Sequence, residues 1–146
     1  MDNIHVSMTA ILITVVANFV FGYIWYTPLF GKAWAKEMKM SMDEKVPTSE
    51  FVKGLSFMVI GNFLMAFVFA HNIAAWNPLS WGQPASSMSP MATVLSAAGF
   101  TWLGFYFPGD LSSMAWERRS FKLFAINTVY HLLSLVIAAG ILVKMS

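Results

Sequence analysis

Five uncharged polar side chains stand out within long apolar runs: Asn18, Asn62, Thr101, Asn127 and His131. Amides and a hydroxyl can exchange hydrogen bonds where water is scarce, and an imidazole can also carry a proton near neutral pH. Trp25, Tyr26, Trp34 and Trp102 lie close to them in sequence. Aromatic walls with a few convergent polar groups are the usual make-up of a small-molecule site. The candidate ligand-binding set is therefore Asn18, Trp25, Tyr26, Trp34, Asn62, Thr101, Trp102, Asn127 and His131. The competing use of the same polar groups is to tie helix to helix, a contribution of about 0.6 kcal/mol per contact in membrane proteins.

What is missing narrows the chemistry. No Asp, Glu, Lys or Arg occurs in 3–31, 54–109 or 123–143. Proton-coupled carriers commonly keep an intramembrane carboxylate, and here no acid is expected near either His71 or His131. No cysteine is present, which removes disulfides, thiolate metal sites and thiol nucleophiles. No Ser–His–acid set is legible, so a non-enzymatic protein without a cofactor is expected. Met38, Met40 and Met42 form an MxMxM run of thioethers, which select Cu(I), but alternate residues do not share a helix face. His5 and His71, with Asp2, Met8 and Met88 as neighbours, form a metal site only if three or four ligands converge, so no metal is expected.

The elements that must position these groups follow from composition. The 146-residue chain is 58% hydrophobic and 11% charged, against about 45–50% and about 25% in soluble domains. That excludes a soluble enzyme, a disordered tail and a nucleic-acid reader. A spanning helix needs about 20 apolar residues. The charge-free runs supply four, at 6–26, 57–75, 91–107 and 123–143, the middle run being broken by Asn77-Pro78, Trp81-Gly82, Pro84 and Pro90. The runs do not alternate as barrel strands would. The expected fold is all-α: a single domain, 1–146, forming an integral-membrane four-helix bundle of two helical hairpins.

Orientation follows from basic residues. Loops 27–56 and 108–122 carry Lys32, Lys36, Lys39, Lys45, Lys53, Arg118, Arg119 and Lys122, against Lys144 alone on the other side. Both loops are expected in the cytoplasm, in a bacterial inner membrane, with both termini outside. At 1.5 Å per residue, Asn18, Asn62, Thr101 and Asn127 then fall roughly 7–14 Å from the cytoplasmic edge, with His131 one turn above Asn127. Phe30, Trp34 and Met38 recur every four residues and predict a short interfacial helix in the first loop. Thr48 is the expected cap of the next helix, with Glu50 in its first turn.

The two hairpins share an order of features. Trp25-Tyr26, Pro28, Trp34 and Lys36 in the first correspond to Phe105-Tyr106, Pro108, Trp116 and Arg118 in the second, as a parallel duplication would give. Small residues at Ala66, Ala70 and Ala74, at Ala92 and Ser96, and at Ser134 and Ala138 allow close helix approach, within one chain or in a homo-oligomer.

The stretch Gly22-Tyr23-Ile24-Trp25-Tyr26-Thr27-Pro28-Leu29-Phe30-Gly31-Lys32-Ala33-Trp34, with Asn18 upstream, resembles the small membrane family called domain of unknown function 1761. Trp102-Leu103-Gly104-Phe105, Pro108, Leu111, Trp116-Glu117, Lys122-Leu123-Phe124, Ile126-Asn127 and Tyr130-His131 resemble its C-terminal pattern. The resemblance implies a four-helix integral membrane protein and brings no established activity. The residues themselves point to a lipid-like or hydrophobic ligand, or a membrane partner, held between the helices. The alternative is an oligomeric transporter or channel for a small solute. Membrane lipid and a second copy of the chain are the expected partners, and nucleic acid is not.

Overall fold

The computed structural model describes residues 4–41 and 45–146, and the regular structure among them is helical throughout. Helix α1 spans Met8–Ile24, and the hydroxyl of its N-cap Ser7 accepts from the Ala10 amide. It passes without a break into a π-helical turn, Trp25–Leu29, and after Phe30 into α2, Gly31–Glu37. Helix α3 spans Thr48–Trp76, and a 3₁₀ turn, Pro78–Trp81, follows it. Helix α4, Pro90–Thr101, starts with Ser89 as cap and proline at its first position, where no amide is needed. A second π-helical turn, Trp102–Tyr106, leads into α5, Phe107–Trp116. Helix α6, Phe121–Lys144, is capped by the Ser120 hydroxyl.

Three helical runs are long and apolar enough to cross a membrane: Met8–Leu29, Thr48–Trp76 and Phe121–Lys144. The run expected at 91–107 is divided. Helix α4 has 12 residues, about 18 Å at 1.5 Å per residue, well short of a hydrocarbon core about 30 Å thick. Its path is completed by the π turn and by α5, so the helical run extends past the expected end at 107 to Trp116. Proline did not end it: Pro108 sits in the first turn of α5, directly after the π turn, where its fixed φ suits a helix.

One local expectation is corrected and one is refined. Pro47, not Thr48, is the cap of α3, and it makes no side-chain cap bond; Glu50 does lie in the first turn. The helix expected around Phe30, Trp34 and Met38 forms as α2, but it packs against α6, burying Gly31 and Ala35. The Ser120 hydroxyl donates to Glu37 Oε2 at 2.6 Å, which fastens the end of α2 to the start of α6.

Helix α6 is the hub, in contact with α1, α3, α4 and α5. The core joins Ala10, Ile11 and Val15 of α1, Ala66, Phe69 and Ala70 of α3, Val94 and Ala98 of α4, and Leu135, Ala138, Ala139 and Leu142 of α6. Alanine at half of these positions lets helix backbones come close without a cavity. Helix α1 is antiparallel to α6, since Trp25 bonds to Ile126 while Ala10 and Ile11 share the core with Leu142. Helix α3 is the outlier: 6% of its most apolar stretch is buried, against 39% for α1 and for α6. Phe57, Leu64 and Val68 lie exposed along it, an apolar face that soluble monomers rarely present.

Candidate functional site

The site grows from two tryptophans. Trp25 and Trp102 each open a π-helical turn, and each carbonyl accepts from the amide five residues on, Phe30 and Phe107. Each indole packs on that phenylalanine, with ring centroids 4.4 Å apart in the first turn and 5.0 Å in the second. Each indole N–H leaves its own helix and donates to a carbonyl of α6: Trp25 to Ile126 at 3.2 Å, Trp102 to Thr128 at 2.8 Å. A glycine precedes each tryptophan by three, Gly22 and Gly99. The two tryptophan turns therefore match at a spacing of 77 (25 and 102, 30 and 107), not at the 80 that the prolines imply (28 and 108). Proline misled because Pro28 lies inside the first π turn and Pro108 lies beyond the second.

Downstream of Trp25, the Tyr26 hydroxyl donates to Asn127 Oδ1 at 2.8 Å, and the Tyr26 ring meets Trp34 edge-on at 5.9 Å. Phe21, Trp25 and Tyr26 all pack on the Tyr130 ring of α6. Four of the sequence candidates, Trp25, Tyr26, Trp34 and Asn127, thus come together in one aromatic knot. Gly22 is required there, because a Cβ on it would stand 2.9 Å from the Tyr130 hydroxyl oxygen. Asn18, one turn up α1, is fully buried, and neither side-chain polar atom has a hydrogen-bond partner among the described residues. The Thr128 hydroxyl is buried and unbonded as well.

One turn along α6 from Asn127 lies His131, where sequence reasoning expected no acid. Asp110 overturns that: its Oδ2 is 2.7 Å from His131 Nδ1. Counted by charge, Asp110 belongs to the loop; in the fold it sits in the first turn of α5, a helix packed on α6. Side chains of both helices lean toward their own N-termini, which in antiparallel neighbours brings a short carboxylate and an imidazole together. The pair is partly sheltered, with 29% of the His131 side chain and 17% of the Asp110 side chain exposed.

His131 also borders a half-open cleft of about 210 Å³ between α3 and α6. Its polar lining is Asn62, Tyr106, Tyr130, His131 and Ser134. Met58, Met65 and Leu135 supply the apolar wall, and Gly61 leaves an opening in α3. Asp110 faces a second cleft, of about 200 Å³, with Asn127, Arg119 and Glu117. The His131–Asp110 pair separates the two.

Of the candidates, Asn62 and His131 share the first cleft, and Asn127 borders the second. Asn18 lies in the buried face of α1, Trp102 on Phe107 and α6, and Thr101 half-buried just before the π turn. Tyr106, Asp110, Tyr130 and Ser134 belong to the site and were not singled out. Tyr130 and Ser134 share a helix face with Asn127 and His131 at spacings of three and four, and that signal was readable. Among the described residues no group of three or more His, Asp or Glu can hold a metal ion. His71 Nδ1 instead lies 2.7 Å from the Phe67 carbonyl, and Met38 accepts from Arg119. Asp2 and Met42 lie outside the described residues.

These features define an all-helical protein with membrane-length apolar helices and a sheltered His–Asp pair beside a cleft. The chain belongs to the family described as "Protein of unknown function (DUF1761)", which it matches over residues 9–143. No curated protein and no solved structure matches it.

Proposed function

We propose that this chain is a multi-pass integral membrane protein, a four-helix bundle of α1, α3, α4–α5 and α6, that binds a lipid-like ligand in the cleft between α3 and α6. The carrying observation is the cleft itself: polar through His131 and Ser134 of α6 and Asn62 of α3, apolar through Met58 and Met65, and beside the least buried of the three membrane-length helices. Such a gradient matches an amphiphile with a head against α6 and a tail along the exposed face of α3. The lysine-bearing loops would face the cytoplasm. Tyr26, Trp25 and Phe21 contribute by holding the Tyr130 ring in place.

Filling the opening tests this. A side chain at Gly61 meets nothing within 4 Å at its Cβ, so Gly61→Leu should fold and obstruct the cleft. Native mass spectrometry of the protein from membranes should show co-purifying lipid in the wild type and a loss in Gly61→Leu. Equal lipid in both would reject the reading. A second reading, a carrier for a small solute, draws on the two clefts meeting at His131–Asp110. It requires flux in proteoliposomes that stops in His131→Ala.

A further inference from the structure

The cleft also carries information about the head group it would take, an inference that rests on the ligand reading above. We propose that the ligand is a lipid with an uncharged hydroxyl head, which donates its hydrogen bond to His131 Nε2, and that Asp110 is the positioning residue that makes this nitrogen the acceptor. An ionised carboxylate only accepts. Asp110 Oδ2 lies 2.7 Å from Nδ1, and in the neutral form of the ring this contact places the hydrogen on Nδ1 and leaves a lone pair on Nε2. Ser134 does not compete as a donor to the ligand, since its hydroxyl is given to the Tyr130 carbonyl at 2.6 Å. Nε2 is then an acceptor beside the donors that Tyr106, Tyr130 and Asn62 bring to the same lining, so the fitting guest both donates and accepts, as a hydroxyl does.

Charge selects in the same direction. No Lys or Arg lines the cleft. The His131–Asp110 pair has a net charge of minus one with a neutral ring and zero with a protonated one. A phosphate entering would lose hydration and gain no counter-charge. A cationic head would be drawn by the pair's charge but not paired, because Asp110 borders the second cleft and not the first. An uncharged hydroxyl loses the least on leaving water and is the group that Nε2 and the Asn62 amide can satisfy.

The test uses the full chain in phosphatidylcholine vesicles doped with one of three lipids of equal chain length. These are dioleoylglycerol, its O-methyl ether and dioleoyl phosphatidic acid. Lipid retained after gentle detergent extraction is counted by native mass spectrometry. The wild type should retain the free hydroxyl at least tenfold over the ether and over the phosphate. In Asp110→Asn the amide can donate to Nδ1 and move the ring hydrogen to Nε2, so the preference for the free hydroxyl should fall toward equality, since hydroxyl and ether both accept. A merely structural role for Asp110 would lower both lipids together and leave their ratio unchanged, and that result overturns the proposal. So does wild-type retention of phosphatidic acid at the level of dioleoylglycerol, a comparison that needs no variant to fold. If Gly61→Leu retains all three at wild-type levels, the cleft reading itself falls.

Discussion

The two tryptophan turns share one backbone device and carry different chemistry. In both, a π-helical turn follows an apolar helix, and an indole reaches across to a carbonyl of α6. The first turn contains Pro28 and ends the helix, so its polar reach is short: Tyr26 to Asn127. The second has no proline inside, and the helix continues far enough to bring Asp110 to His131. At the 77-residue spacing, Asp110 corresponds to Ala33 and Asn18 to Leu95. The first half therefore closes into an aromatic knot, and the second leaves a titratable pair beside open space. Two like turns can come to position different chemistry by where a single proline falls.

Substitutions can break this comparison. The largest effect is expected at Trp25, which is 8% exposed: Trp25→Ala should cost about 3–5 kcal/mol of stability. Trp102→Ala, at a half-buried site, should cost about 2 kcal/mol. Both are read from thermal or denaturant unfolding in detergent, and the reverse order would make the second turn the structural one. Asn18→Leu installs the residue of the second half at an equally branched shape and removes two buried unbonded atoms. It should stabilise by about 1–3 kcal/mol, and destabilisation would mean the amide is bonded in the working protein.

The glycines three residues before each tryptophan sharpen the contrast. Gly22→Ala meets the Tyr130 hydroxyl at 2.9 Å, whereas Gly99→Ala meets nothing within 4 Å. The first should lose about 1–2 kcal/mol and the second gain about 1 kcal/mol from helix propensity, both in the same unfolding assay. The smallest effect is shared by the halves. Lys39 and Arg118 follow α2 and α5 with φ of 56° and 53°, a left-handed conformation that costs side chains about 1 kcal/mol. Lys39→Gly and Arg118→Gly should each stabilise by about 0.5–1 kcal/mol, and equal gains would confirm matched helix ends.

The apolar lengths of α1, α3 and α6 were legible because hydrocarbon-length runs without charge admit few structures. So was the pairing of Asn127 and His131 on one face. Asp110 was not legible, because a carboxylate after Pro-Gly counts as loop until a helix is known to cross the proline. Nor were the π turns, since nothing local in Trp-Leu-Gly-Phe-Tyr distinguishes five residues per hydrogen-bonded step from four. The tertiary bonds of the two indoles to α6 accompany that choice, and they belong to the fold and not to the segment. Asn18 was legible as an oddity, but its burial without a partner depends on what α3 and α6 place around it.

A π turn holds one residue more than the helix around it needs. Each residue of an α-helix turns about 100° around the axis, so everything beyond the turn is rotated by that angle relative to an uninterrupted helix. Asp110 points at α6 only with this extra residue counted in. Deleting any one residue of 102–106 would leave the preceding apolar face in phase and swing the carboxylate a quarter-turn away. The helix thus works as a dial set one notch forward, and one codon is enough to turn it back.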